Sequence, residues 1–371
     1  MPRGIRLLLA ASGTGGHLFP GIAVAEAVRR EVGAEVLFVG TASGMEKEVI
    51  PRLGFPLRLI PAEQLRGRSW WGAARALWAA LRGLKAAWRV VREFAPDLIF
   101  SIGGYASGPM VLAGWARRVP CVLLEPNVIP GLTNRLLGRF ATRVCVGFPR
   151  TAYFFPSHKA VCTGNPVRWN GPASQMHPSP ASTEFTLLIF GGSAGARRLN
   201  QTLPQALALV GKDLRVIHQT GKADYAEVSA AYAQLGVGAT VVPFIDNMQE
   251  VYTAADLVVC RAGATTLAEL TTLGKPAILI PYPYAVDDHQ RANAEVLVQA
   301  GAAYMILDAE LTPERVSQVI RALMTNRQQL EAMARAAAAL GRPDATAAVV
   351  RECLACLPQT GRMDWEGACR S

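Results

Sequence analysis

Short apolar runs alternate with segments of helical period along most of the chain. In the first half, strand-like runs fall at residues 5–11, 35–39, 57–60, 97–101, 120–124 and 143–146, and a helix is predicted over about 20–32. Runs this apolar, without polar alternation, are expected in a parallel sheet covered by helices on both faces. A Pro- and Ser-rich stretch at 169–184 breaks the pattern and reads as a linker. The pattern then restarts, with strands predicted at 185–190, 215–219, 240–244, 257–260 and 277–281 and a helix over about 197–210. Helical period continues from 312 to about 356, and 357–371 reads as a tail.

The expected fold class is therefore α/β, with two doubly wound Rossmann-like domains facing a cleft at the carboxyl ends of their strands. The first domain is placed at 1–168, the linker at 169–184 and the second domain at 185–343. Residues 344–371 are expected to form a C-terminal helix that packs back on the first domain, followed by the tail.

Composition sharpens this picture. With 51% hydrophobic and 18% charged residues the chain is not a disordered one. No apolar stretch approaches the roughly 20 residues that span a bilayer, and the N-terminus shows no signal-peptide pattern, so a cytosolic location is expected. The seven cysteines are scattered, and the close pair Cys353 and Cys356 lacks the partners of a zinc site. The net charge of +10 divides into +13 over residues 1–168 and −3 over 169–371. The basic half is expected to meet something anionic, a phospholipid surface or a lipid diphosphate. Nucleic acid is the weaker choice, because no zinc-finger spacing or RNA-binding aromatic signature accompanies the charge.

Both halves open on a strand followed by a glycine loop: LLLAASGTGGHLFPG at 7–21 and LLIFGGSAGARRLN at 187–200. Such loops let backbone N–H groups approach phosphate oxygens at a helix N-terminus. The first is a poor dinucleotide fingerprint, since the second strand ends in Gly40 and Thr41 rather than an acid. A Walker loop is excluded too, because Pro276 follows Gly274 and Lys275. A third glycine turn at 261–266 opens a helix with Glu269 one turn in, where one carboxylate would accept from both hydroxyls of a ribose.

Eight ordered segments carry a family resemblance: GTGGHLFPG (13–21), GGYASGP (103–109), GLTNRLL (131–137), GNPVR (164–168), GGSAGARRLNQ (191–201), PFIDNM (243–248), CRAGATTLAEL (260–270) and DDHQRANA (287–294). Over residues 7 to about 348 the chain resembles the bacterial peptidoglycan glycosyltransferases of family 28, which have the GT-B fold. The resemblance implies transfer of N-acetylglucosamine from UDP-N-acetylglucosamine to an undecaprenyl-diphosphate-linked muramyl pentapeptide, at the cytoplasmic face of the plasma membrane. It places Thr14, Gly15 and Gly16 beside the sugar and phosphates, Asn127 near the sugar, and Arg168 and Ser193 toward the phosphates. Ile245 would meet uracil through its backbone. Ala264, Thr265, Thr266, Leu267, Ala268 and Glu269 would form the diphosphate turn and ribose clamp, and Gln290 would bind sugar hydroxyls. The chain departs from the family where Pro126 replaces a glutamine and Ala194 another. Each change removes a hydrogen-bonding group, an N–H in the first case and a side-chain amide in the second.

Transfer with inversion needs a base for the acceptor hydroxyl and stabilisation of the departing diphosphate. No Asp-x-Asp triplet is present, so helix N-termini and Arg168 are expected to serve, with no cofactor and no essential metal. His17 is the first candidate base, because histidine ordinarily titrates near 6.5; Glu125 and Asp287 are alternatives. His289 is expected to position sugar or loop, and His158, His177 and His218 to have no chemical role.

The segment 70–94 combines Trp70, Trp71, Trp78 and Trp88 with Leu77, Leu81 and Leu84, beside Arg75, Arg82, Lys85, Arg89 and Arg92. As a helix it would pack on its alanines, Ala73, Ala76, Ala80 and Ala87, and turn tryptophan and arginine to an anionic membrane surface. A core helix with a solvated charged edge is the plainer reading. Two other activities fit parts of the pattern: a UDP-sugar:diacylglycerol glycosyltransferase, and a UDP-sugar epimerase on the same fold.

Overall fold

The computed structural model describes residues 4–62, 70–169, 184–192, 196–211 and 213–357, with the side chains of 70–77 and 79 outside that description. The chain divides into two compact units, Met1–Arg168 with Asp344–Ser371, and Trp169–Pro343. Most of the linker read at 169–184 lies outside the described residues.

The first unit holds strands β1 (Arg6–Ala11), β2 (Glu35–Gly40), β3 (Leu57–Leu59), β4 (Leu98–Gly103), β5 (Cys121–Glu125), β6 (Arg143–Val146) and β7 (Ala160–Cys162). Its helices are α1 (Gly15–Val32), α2 (Glu46–Arg52), α3 (Trp70–Phe94), α4 (Ser107–Ala116) and α5 (Leu132–Leu137). The strands pair in parallel in the order β3-β2-β1-β4-β5-β6-β7. Alternation along β1 explains the two covered faces. Leu7, Leu9 and Ala11 enter one apolar cluster with Val24 and Val28 of α1. Leu8 and Ala10 enter another with Ala87, Val91 and Met110 from the opposite face. Each large side chain so buried stabilises the fold by about 1.5–3 kcal/mol.

The second unit repeats the plan with β8 (Phe185–Phe190), β9 (Leu214–Gln219), β10 (Ala239–Val242), β11 (Leu257–Cys260), β12 (Ala277–Leu279) and β13 (Ala303–Met305). Its helices are α6 (Arg197–Val210), α7 (Tyr225–Gln234), α8 (Met248–Ala254), α9 (Ala264–Thr272), α10 (His289–Gln299), α11 (Pro313–Thr325) and α12 (Arg327–Leu340). The strand order is β10-β9-β8-β11-β12-β13, again all parallel. The last helix, α13 (Ala345–Ala355), belongs to the first unit, where Val349, Val350, Cys353 and Leu354 join the cluster around α1.

Three sequence readings need correction. The first helix begins at Gly15, so Pro20 lies inside it rather than opening it, because the glycine loop runs straight into helical backbone. The helical period from 312 is three helices, broken at Asn326, whose side chain caps α12 by accepting from Gln329 N at 3.0 Å, and again at 341–344. The edge strands β7 and β13 were not read at all; β7 is three residues between Lys159 and Thr163, while β13 lies in the apolar run 302–307 that the sequence reading passed over.

Candidate active site

In the first unit the candidate residues gather at the carboxyl ends of β1, β4 and β5. Gly13 (φ 105°) turns the chain off β1, and exposed Thr14 precedes α1, its carbonyl accepting from the N–H groups of His17 (3.1 Å) and Leu18 (3.2 Å). The His17 ring lies against the end of β4: a Cβ on Gly103 would stand 3.4 Å from its Nε2. Gly104 is needed for the same close approach, since a Cβ there would meet the Ser12 carbonyl at 2.3 Å. Arg168 stacks its guanidinium on Phe19, 3.9 Å from the ring centroid, and that ring fills the space a Cβ on Gly15 would need. Arg168 and the loop at Thr14, Gly15 and Gly16 are thus brought together.

Beneath this loop sits a residue the sequence reading missed. Glu46 is fully buried, and its carboxylate accepts from Gly13 N (3.2 Å), Thr41 N (2.8 Å) and Thr41 Oγ1 (3.1 Å). Gly40 and Gly44 leave it room, for a Cβ at either would collide with it. The signal lay in the small residues at 40, 41 and 44 shortly before the acid that opens α2.

Glu125 ends β5 and is buried. Its Oε1 accepts from Asn127 N (3.0 Å) and Asn127 Nδ2 (3.1 Å), and its Oε2 from Gly131 N (3.2 Å) and Asn134 Nδ2 (3.0 Å). Burial raises its pKa to about 6 against these donors, which act in the opposite direction. Both oxygens are thus engaged in shaping the loop that presents Asn127, which suits a clamp better than a base. Pro126 interrupts nothing in this clamp, because both donors at 127 belong to the asparagine.

In the second unit, Gly263 precedes α9, and no side chain caps the helix's first turn. Thr266 and Ala268 are half-buried, Ala264 and Thr265 buried, and Leu267 is a core residue, so any ligand contact from Leu267 is through its backbone. Glu269 is buried and accepts from the Tyr252 hydroxyl at 3.0 Å. Ile245 N donates to Gln219 Oε1 at 2.9 Å, while Gln219 Nε2 reaches the Gly192 carbonyl at 3.4 Å. One side chain therefore ties Ile245 to the glycine turn at 191–192. Ser193 and Ala194 lie outside the described residues.

Gln290 accepts from Tyr282 N at 2.9 Å, and His289 Nδ1 donates to the Val286 carbonyl at 2.7 Å. Just before them Asp287 and Asp288 both have positive φ, 52° and 51°, a conformation that costs non-glycine residues energy and is concentrated at functional turns. Arg261, which opens the third glycine turn, is buried and donates from one nitrogen to the carbonyls of Ile280 and Pro281 (3.1 Å each) and to Asp308 Oδ1 (2.7 Å), fixing the start of this segment.

His218 is buried beside α6. Asn200 donates its amide N to Thr220 O and Asp224 Oδ2 (2.8 Å each), leaving Oδ1 to accept from His218 Nε2 (3.1 Å), so Nδ1 accepts from the Tyr232 hydroxyl (2.9 Å). Burial lowers the His218 pKa to about 3. With the folded pKa below the ordinary 6.5, the unfolded chain takes up the proton first, so the stability contribution is complete above about 6.5 and is lost as pH falls toward 3. Glu125, raised to about 6, has the opposite sign, gaining stability as pH falls from 6 toward 4.5. The second unit is therefore expected to lose up to about 1.4 kcal/mol per pH unit below 6.5, while the first gains at up to a similar slope between about 6 and 4.5. Amide hydrogen exchange of each unit at pH 7 and 5 measures this, and equal slopes in the two units would count against it.

On α3, Trp78 (60% exposed), Leu81 (55%) and Trp88 (41%) lie on the face that also carries Arg82, Lys85 and Arg89. Arg82 stacks over Trp78 (4.7 Å) and Arg117 over Trp88 (5.2 Å). The packed face consists of Gly83, Ala87 and Val91, with Leu84 half-buried; Ala80 is exposed, so the expected alanine face is corrected there to the residues that truly meet α4 and the sheet. Trp70, Trp71 and Arg75 fall where side chains lie outside the description. Among the described residues, no helix is long and apolar enough to cross a membrane.

Two family models match this arrangement: the glycosyltransferase family 28 N-terminal domain over residues 7–146 and the family 28 C-terminal domain over 186–349. The chain belongs to glycosyltransferase family 28. It is 44% identical over 360 residues to a Myxococcus xanthus protein named UDP-N-acetylglucosamine--N-acetylmuramyl-(pentapeptide) pyrophosphoryl-undecaprenol N-acetylglucosamine transferase, covering 96% of this chain and 94% of the relative. A Geobacter metallireducens protein of the same name is 46% identical over 355 residues, covering 94% and 98%. Among solved structures, MurG of Acinetobacter baumannii is 35% identical with a TM-score of 0.77, covering 95% of this chain and all of that one. The UDP-GlcNAc 2-epimerase of Neisseria meningitidis, at 14% identity and a TM-score of 0.66, shares the fold alone.

Proposed function

We propose that this chain transfers N-acetylglucosamine from UDP-N-acetylglucosamine to the C4 hydroxyl of lipid-linked N-acetylmuramyl-pentapeptide, with inversion at the sugar, in peptidoglycan synthesis. The observation that carries the reading is the match along nearly the full length to relatives named for that reaction. The donor is assigned to the second unit. The N-terminus of α9 supplies partial positive charge for the diphosphate, Glu269 accepts from the ribose hydroxyls, and Gln290 meets the sugar. Ile245 offers its carbonyl to uracil and, where Gln219 yields, its N–H. The acceptor and the base His17 are assigned to the first unit, with Thr14, Gly15, Gly16, Asn127 and Arg168 around the transferred group. Ser193 is assigned to the phosphates. No cofactor or metal is required in this scheme; helix N-termini and Arg168 stabilise the leaving UDP. The exposed aromatic and basic face of α3 holds the enzyme to the anionic cytoplasmic surface of the plasma membrane, where its undecaprenyl-linked acceptor resides.

The test is an assay of the purified protein with UDP-N-acetylglucosamine and either the lipid-linked muramyl pentapeptide or diacylglycerol. Product from the first alone is expected, and product from diacylglycerol alone would overturn the assignment. For the donor site, Glu269→Ala is expected to raise the donor KM by the equivalent of about 1.5–3 kcal/mol, the value of hydrogen bonds to a charged group. An unchanged KM in a folded variant removes Glu269 from the ribose.

A further inference from the structure

We propose that Tyr252 positions Glu269 for the donor ribose, so that the buried tyrosine hydroxyl sets the carboxylate's aim and with it the preference for a ribose over a sugar lacking its hydroxyls. The proposal rests on the assignment of Glu269 to the ribose given above. Tyr252 is fully buried, and its hydroxyl donates to Glu269 Oε2 at 3.0 Å. Its ring is held edge-on by Phe190 (centroids 5.9 Å apart, 84° between planes) and by Trp169 (6.0 Å, 63°). These neighbours are parts of the candidate site rather than of a remote core. Phe190 is the last residue of β8 before the Gly191–Gly192 turn, Trp169 directly follows Arg168, and Tyr252 itself lies on α8, which starts three residues after Ile245. Three segments assigned to the donor thus converge on one phenol.

The physical reason such a residue is useful lies in the glutamate. Its side chain turns about three bonds, and a carboxylate that must meet two vicinal hydroxyls at once loses affinity whenever it swings away. A hydroxyl fixed by aromatic packing on both sides keeps one oxygen in place before the ligand arrives. A hydrogen bond to a charged acceptor is also stronger than one between neutral groups, so Tyr252 and Glu269 are well matched for this purpose.

Tyr252→Phe removes the hydroxyl and keeps the ring, so the packing against Phe190 and Trp169 survives; an unfolding curve checks this. The experiment measures calorimetric binding of UDP and of 2′,3′-dideoxyuridine diphosphate to wild type, Tyr252→Phe, Glu269→Ala and the double variant. Tyr252→Phe is expected to weaken UDP by about 5- to 10-fold, to leave the dideoxy nucleotide within about twofold, and to add nothing once Glu269 is alanine. In turnover, the KM for UDP-N-acetylglucosamine should rise by the same factor with kcat unchanged. Equal weakening of both nucleotides, or no weakening of UDP, overturns the role of Tyr252 while Glu269→Ala still discriminates between them. If Glu269→Ala itself does not discriminate, the ribose assignment falls, and the proposal with it.

Discussion

Replacement of His17 by alanine is expected to lower kcat by roughly a hundredfold to ten-thousandfold, the range of a lost general base, and to leave the donor KM within about twofold of the wild type. His17 stands in the first turn of α1 with its ring beside Gly103, and it is the half-buried histidine of this loop. The residues assigned to uracil, ribose and sugar hydroxyls, Ile245, Glu269 and Gln290, belong to the second unit, so their contacts do not depend on the His17 ring. The pH profile separates His17 from Glu125. Activity that requires an unprotonated imidazole falls in acid, and His17→Ala should abolish that acid limb along with most of the rate. Glu125, raised to about 6 by burial, is the rival group, yet its two oxygens already accept from four donors. Glu125→Gln should therefore disturb the loop at 125–134, visible as lost stability, whereas His17→Ala should not. A kcat that survives His17→Ala would return the histidine to a loop-holding role.

The second large effect concerns α3. Changing Arg75→Gln, Arg82→Gln, Lys85→Gln and Arg89→Gln together should weaken binding to anionic vesicles by up to about 1 kcal/mol per charge, most at low salt. Three of these side chains are exposed on the face that carries Trp78 and Trp88, where stacked arginines hold the indoles beside the positive charge. UDP affinity should not change, because none of these residues belongs to the donor unit. Co-sedimentation with vesicles at two ionic strengths, with UDP titrated in parallel, reads both quantities. Equal sedimentation at low salt would make α3 an ordinary surface helix.

How much of this was legible in the chain can be judged from particular residues. The buried strands were plain wherever four or more apolar residues ran together, as in β1 and β8, since nothing but a doubly covered sheet accommodates them. The edge strand β7, three apolar residues between Lys159 and Thr163, was invisible for the converse reason, whereas β13 lies in the apolar run 302–307 and was legible by the same rule. At the site, glycine turns and the acid one turn into α9 were readable because their chemistry depends on local spacing. Gln219 and Tyr252 were not, because each acts across 15 or more residues of sequence through hydrogen bonds that only the folded sheet creates, and the hold of Glu46 on Gly13 spans 33 residues. His218, to which the sequence assigns no chemical role, ties Asn200 of α6 to Tyr232 of α7.

The placement of α13 bears on how the molecule is made. A ribosome releases residues in order, and domains generally fold as units while synthesis continues. Here the apolar cluster around α1 includes Val349, Val350, Cys353 and Leu354, and Arg143 of β6 pairs with Glu352 at 3.0 Å. The unit whose synthesis starts first therefore lacks one wall until nearly the whole chain has emerged, whereas the later unit has all its segments by Pro343. The nascent amino-terminal sheet waits with an apolar flank uncovered throughout translation of its successor, and that interval is when a chaperone has most to offer it.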